Sequence, residues 1–123
     1  MKILDLNHVA LHVQDVAVSC QFYEHVLNLP VLDRPAFNFS GAWFRLGSTQ
    51  ELHLIGERQA LVHNHAQGNH FALRVASVPE AAGELLRKNV AFNGPMQRPD
   101  GKWQLFLQDP DGYIIELTEL PDL

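Results

Sequence analysis

Two stretches of this chain repeat each other, and that repeat limits the fold more than any other feature. Asn7-His8-Val9-Ala10-Leu11-His12-Val13 returns 62 residues later as Asn69-His70-Phe71-Ala72-Leu73-Arg74-Val75. With Val16 and Val78 included, six of ten aligned positions are identical. Similarity at a fixed offset marks a duplicated structural unit. The 123 residues therefore read as two like halves of one domain. Each copy sets a histidine at the same point of a strand. Two halves that each offer one histidine to a shared centre suggest a metal site.

Composition narrows the partners. Net charge is -5, and the arginines and lysines are scattered without a basic run. Nucleic acid and anionic membrane both require a positive field, so neither is expected as a partner. The one cysteine, Cys20, excludes an intrachain disulfide and suits a reducing cytoplasm. The first residues, Met1-Lys2-Ile3-Leu4-Asp5, do not read as a signal peptide, and no apolar run has the length of a membrane span.

Residues 3–13 alternate in polarity, with Val9, Leu11 and Val13 on one face and His8, Ala10 and His12 on the other, as in a half-buried strand. Asp15 is an N-cap for an amphipathic helix through Val18, Phe22, Val26 and Leu29, which Asn28 and Pro30 end. Strands are expected at 31–39 with a break at Pro35, then at 43–46 and 51–55, with Gly41 and Gly47-Ser48 as turns. Residues 56–68 lack a period and read as the end of the first half and a linker. The second half repeats the order. A strand at 69–76 leads to a helix capped by Ser77-Val78-Pro79-Glu80, and strands follow at 91–97, 103–108 and 113–119. Asp109-Pro110-Asp111-Gly112 is a tight turn before the last of them.

Four side chains form the candidate site. His8 and His70 are related by the repeat. His53, between Leu52 and Leu54, and Glu116, between Ile115 and Leu117, are 63 residues apart and so nearly equivalent. If the halves pack about a pseudo-twofold axis, all four converge, and imidazole with carboxylate suits Zn, Fe, Ni, Co or Mn. Taken alone, Glu116 is either solvated on an edge strand or in need of a partner or metal. His12 shares the face of His8, His63 and His65 make a His-x-His in the linker, and His25 lies on the first helix. These four histidines read more simply as surface or local groups, and Cys20 as a small buried apolar residue.

Several of these motifs together resemble the vicinal oxygen chelate superfamily, the glyoxalase, bleomycin resistance and extradiol dioxygenase group. They are Asn7 to Asp15, Phe22-Tyr23, Trp43 to Gly47, Leu52-His53-Leu54, His70-Phe71-Ala72 and Asp109 to Leu117. The resemblance covers nearly the whole chain. It implies an α+β fold of two βαβββ modules, with a curved mixed sheet around a cavity that holds a divalent metal. The modules would span about 1–57 and 69–123, with the linker at about 58–68. It further implies a homodimer. The family's metal positions fall on His8, His70 and Glu116, and its fourth position, Glu or Gln in several lyases and isomerases, falls on His53. Here His53 is either a fourth ligand or a base beside the metal. Marks of particular subfamilies are mostly absent. The glutathione-binding arginine of bacterial-type glyoxalases falls on His12, and the threonine of fosfomycin-modifying enzymes on Ala10.

The expected activity is that of a divalent-metal-dependent lyase or isomerase, or an extradiol-type dioxygenase. Its substrate would be a small molecule that chelates through adjacent oxygens, with Glu116 and His53 as the catalytic groups. Arg45 or Arg98 would hold a substrate carboxylate. The alternative is a drug- or antibiotic-binding protein of the same fold without turnover.

Overall fold

A computed structural model describes residues 1–119. Its elements follow the order β1 (His8–His12), α1 (Val16–Gln21), β2 (Val31–Leu32), β3 (Gly41–Leu46), β4 (Gln50–Ile55), β5 (Phe71–Arg74), α2 (Val78–Arg87), β6 (Asn93–Gln97), β7 (Trp103–Gln108) and β8 (Ile114–Thr118). The helix begun by α1 continues as a wider π turn over Phe22–Val26. The chain separates into two compact units, Met1–Ala60 and Leu61 onward. Each is a βαβββ module with a four-stranded mixed sheet, in the orders β1-β4-β3-β2 and β5-β8-β7-β6. The fold is α+β.

Local chemistry sets the helix ends. Asp15 accepts hydrogen bonds from the backbone N–H groups of Ala17 and Val18, which have no partner inside the helix. Ser77 accepts in the same way from Glu80. Asn28 and Asn89 both take the left-handed conformation, with φ of 56° and 57°, and stop the helices before them.

In the first unit Leu11, Val13, Tyr23, Phe44, Leu52 and Leu54 are buried, and the helix packs over β3 and β4. In the second, Val78, Ala82, Leu85, Leu105, Leu107, Ile115 and Leu117 form the core under α2. Because side chains alternate across a strand, burying these residues turns the intervening ones to the opposite face of each sheet. That face carries the candidate site.

Three expectations are corrected. The strand drawn from residue 3 begins at His8, because β4 starts at Gln50 and Asn7 is where the bonding to that strand begins, through Glu51 N–H to Asn7 O. The strand drawn over 31–39 pairs only at Val31 and Leu32. Pro35 lacks a ladder donor, Phe37 N–H closes back on Pro35 O, and residues 33–40 bulge out as a loop. Gly41 is a strand residue rather than a turn. A Cβ there would stand 2.3 Å from Leu54 O, so glycine is needed for close approach.

Leu54 is fully buried and Leu61 is 81% exposed. Leu54→Ala should cost about 2–5 kcal/mol in chemical denaturation. Leu61→Ala should change stability by less than about 0.5 kcal/mol. Similar values for the two would contradict the core assignment.

Candidate metal centre

The strand registers place the four expected residues on equivalent rows of the two sheets. In the first unit Ala10 lies opposite His53, and His53 opposite Trp43. In the second, Ala72 lies opposite Glu116, and Glu116 opposite Phe106. His8 and His70 each precede their alanine by two residues. The structure thus brings the expected ligands together two by two. Among the described residues, no group of three or more His, Cys, Asp or Glu side chains is placed to hold a metal ion.

In the second unit, Glu116 is 8% exposed on the interior strand β8, not on an edge. Its Oε1 stands 3.0 Å from His70 Nε2. His70 Nδ1 faces two backbone carbonyls, Gly68 O at 3.1 Å and His65 O at 3.3 Å. Carbonyls only accept, so Nδ1 carries a hydrogen. Nε2 and Oε1 then face each other across a gap that a proton or a cation must fill. Two ligands at about 2.1 Å from one ion, at a right angle, stand about 3 Å apart. The second imidazole nitrogen held by a carbonyl is also what metal-binding histidines need to fix tautomer and aim. This pair fits a divalent metal.

In the first unit, His8 Nδ1 lies 2.8 Å from Asn7 Oδ1, which leaves Nε2 with its lone pair. His53 Nε2 lies 2.9 Å from Glu51 Oε1, and the carboxylate as acceptor leaves the lone pair on His53 Nδ1. The His53 ring is clamped between His8, at 4.2 Å and 17°, and Trp43, at 4.0 Å and 3°. Nitrogen lone pairs lie in the ring plane. Two planes about 4 Å apart and nearly parallel do not meet at a point about 2 Å from both nitrogens. One ring must turn before His8 and His53 can share an ion.

Surrounding groups divide into walls and supports. The edge of Phe106 meets the His70 ring at 5.6 Å. Phe106 also lines a cavity of about 470 Å³ in the second unit with Val90, Phe92, Asn93 and Ile114, a volume suited to a small molecule. Asn64 fastens the segment before β5 to the start of β8, donating to Gly112 O and accepting from Ile114 N–H. Gly112, at φ 87°, closes the turn on Asp109.

Asn64, Glu51 and Phe106 were not among the residues expected to matter. The period-two spacing of Glu51 and His53 on one strand could have shown the Glu51 contact. The partners of Asn64 and Phe106 are too distant in sequence to be read.

His12, His65 and His25 are locally engaged. His12 donates to Gly56 O, and His65 Nδ1 accepts from Gln67 N–H. His25 is a 62% exposed side chain beside Glu24. Cys20 is half-buried, and burial, with Glu24 adding to it, pushes its thiol up. Neither arginine expected to grip a substrate carboxylate stands free. Arg45 lies 3.6 Å from Glu51. Arg98 is bonded to Asp100, and that bond raises the arginine and lowers the Asp100 carboxyl from their ordinary values.

Comparison with known proteins agrees with this architecture. The family model described as "Glyoxalase/Bleomycin resistance protein/Dioxygenase superfamily" matches residues 5–117. The chain is 33% identical to a lactoylglutathione lyase of Salmonella typhimurium, over 95% of this chain and 93% of that protein. It is 26% identical to the metallothiol transferase FosB of Bacillus licheniformis, over 94% of this chain and 75% of that one. The crystal structure of a glyoxalase family protein from Enterococcus faecalis superimposes with a TM-score of 0.77, at 27% identity, over 94% of this chain and 97% of its own.

Nitrogen-15 NMR of the metal-free protein should show Nε2–H on His53 and a protonated Nδ1 on His70. Glu51→Ala should return His53 to a mixture of tautomers and leave His70 unchanged. A wild-type His53 protonated at Nδ1 alone would refute the first-unit arrangement.

Proposed function

The chain belongs to the glyoxalase/bleomycin resistance protein/dioxygenase superfamily, and we propose that it is a divalent-metal-dependent lyase or isomerase acting on a small substrate through two adjacent oxygens. The observation that carries this reading is the His70–Glu116 pair. A buried carboxylate faces an imidazole whose far nitrogen is held by backbone carbonyls. Two of the enzymes to which the chain is similar are named as a lyase and a metallothiol transferase. Both names are compatible with a metal site.

His70 and Glu116 are assigned as ligands, and His8, which the sequence repeat also offers, has its Nε2 lone pair available. His53, which the sequence also offers as a ligand, is assigned to proton transfer. Its ring is held in a stack by Trp43 and His8, and its Nε2 is engaged by Glu51. Nδ1 is left to take a proton from a carbon and return it. When bound, the metal supplies Lewis acidity at two neighbouring substrate oxygens. In the second unit, Phe106 and the cavity beside it offer room for a small molecule near His70.

One other reading rests on a specific observation. Two histidines and one carboxylate, His8, His70 and Glu116, are the donor set of oxygen-activating iron enzymes. Iron and oxygen uptake with catechols would select it. Anaerobic turnover with nickel, cobalt, zinc or manganese selects the lyase or isomerase.

Untagged protein purified without a metal column should carry about one transition metal per chain by elemental analysis. Glu116→Ala should lose it. Metal returned to the chelator-treated wild type should bind tighter than about micromolar, roughly −8 kcal/mol. No uptake at that level would end the metalloenzyme reading. Saturable small-molecule binding that survives chelation would then favour a binding protein without turnover. His53→Gln should keep the metal and lower kcat at least about a hundredfold, the range of general acid–base catalysis.

A further inference from the structure

Residues 33–40 do more than connect β2 to β3. Phe37 and Phe39 are each 45% exposed, with stacked rings 5.1 Å apart. The Arg34 guanidinium carbon lies 4.9 Å from one ring centre and 4.8 Å from the other. Phe37 leads on to Trp43 at 6.1 Å, Trp43 to His53 at 4.0 Å, and His53 to His8 at 4.2 Å. A continuous strip of planar groups therefore runs from the loop to two of the residues placed in the candidate site.

Arg34 gives the strip a charge. Nη2 donates to Phe39 O at 2.9 Å, whereas Nε is buried with no hydrogen-bond partner. No carboxylate pairs with this guanidinium among the described residues, unlike those of Arg45 and Arg98. Gly41 is what admits it, since a Cβ there would stand 3.0 Å from both Nε and Nη2. An arginine packed on a strand, faced by two rings and lacking a counter-ion, is matched by an anion. Half-exposed flat rings are matched by another flat ring, since offset or edge contacts favour aromatic neighbours over aliphatic ones of equal area.

We propose that Arg34, Phe37, Phe39 and Trp43 form a subsite for an aromatic ring bearing a carboxylate. The ring would lie against the phenylalanines, with the anion at the guanidinium and the rest of the molecule directed along the strip toward His53. This names the substrate class of the site proposed above, and it rests on that reading for turnover only. Binding at the subsite requires no metal.

The test uses the full chain, stripped of metal by chelation, with Trp103→Phe so that Trp43 is the sole tryptophan and is excited selectively over Tyr23 and Tyr113. Phenylacetate is titrated against cyclohexylacetate, which keeps the charge without the ring, and benzyl alcohol, which keeps the ring without the charge. Phenylacetate should quench Trp43 saturably and bind at least about tenfold tighter than either, about 1.4 kcal/mol. Phe37→Ala with Phe39→Ala should remove the ring preference, and Arg34→Gln the charge preference. Circular dichroism and melting checks confirm that each variant is folded, and Arg34→Lys, which keeps the charge, should retain part of the anion preference. Equal affinities for the three probes, or unchanged selectivity in folded variants, overturns the proposal. So does a Trp43 signal that follows protein concentration instead of ligand, since a second copy would then cover the strip. Failure here leaves the metal measurements untouched, and failure to bind metal leaves this titration interpretable.

Discussion

Burying a carboxylate is the constraint on which the second unit depends. Glu116 sits between Ile115 and Leu117 on an interior strand, where an isolated negative charge would be costly. His70 answers that charge, and the imidazole is useful only if its orientation is fixed. The turn at His65–Gly68 supplies the fixing carbonyls, with Gly68 N–H closing on His65 O and His65 N–H on Asn69 O. Asn64 ties that turn to the entry of β8, and Asp109 holds the next turn by accepting from Asp111 and Tyr113 N–H groups. The carboxylate and the imidazole that faces it are thus framed by contacts spread from residue 64 to residue 116.

The first unit solves the same row differently. With His53 in place of a carboxylate there is no obligatory charge, and the ring is held by stacking as well as by hydrogen bonding. The charge appears two residues earlier, at Glu51, where Arg45 partly offsets it. The duplicated scaffold therefore carries two chemically distinct pairs. One is ionic and aimed at a point. The other is flat, aromatic and held in a stack.

What the sequence revealed follows from physical range. Periodicity reports which face of a strand is buried, so the opposition of Leu11 and Val13 to His8, Ala10 and His12 was legible. The repeat carried the equivalence of His53 and Glu116, which the matching registers through Ala10 and Ala72 bear out. Caps and stops at Asp15, Ser77, Asn28 and Asn89 act within four residues and were read directly. The loop at 33–40 reads in the sequence as part of a strand over 31–39, of which only Val31 and Leu32 pair. Its actual shape depends on Pro35 and on Arg34 lying against Gly41, a contact over seven residues with no periodic signature. The stacking of His53 between Trp43 and His8 requires three strands in register, so sequence could place those residues on one face but not in one column.

Where the two units diverge indicates where selectivity is encoded. The rows Ala10-His53-Trp43 and Ala72-Glu116-Phe106 are built on paired strands, and their alternation fixes which groups face one another. The connections preceding the third strand obey no such rule. In the first unit that connection carries two half-exposed phenylalanines and an arginine that pairs with no carboxylate among the described residues. In the second it is a short turn, in which Arg98 is consumed by Asp100 and Gly101 N–H returns to Arg98 O. A guanidinium neutralised by its own loop has little left to offer a ligand, whereas Arg34, with no carboxylate beside it among the described residues, keeps its charge uncompensated. Loops on a rigid scaffold can change in this way at little cost to the core. The rows would then set the class of chemistry, and the asymmetry of these two loops would choose the molecule on which it acts.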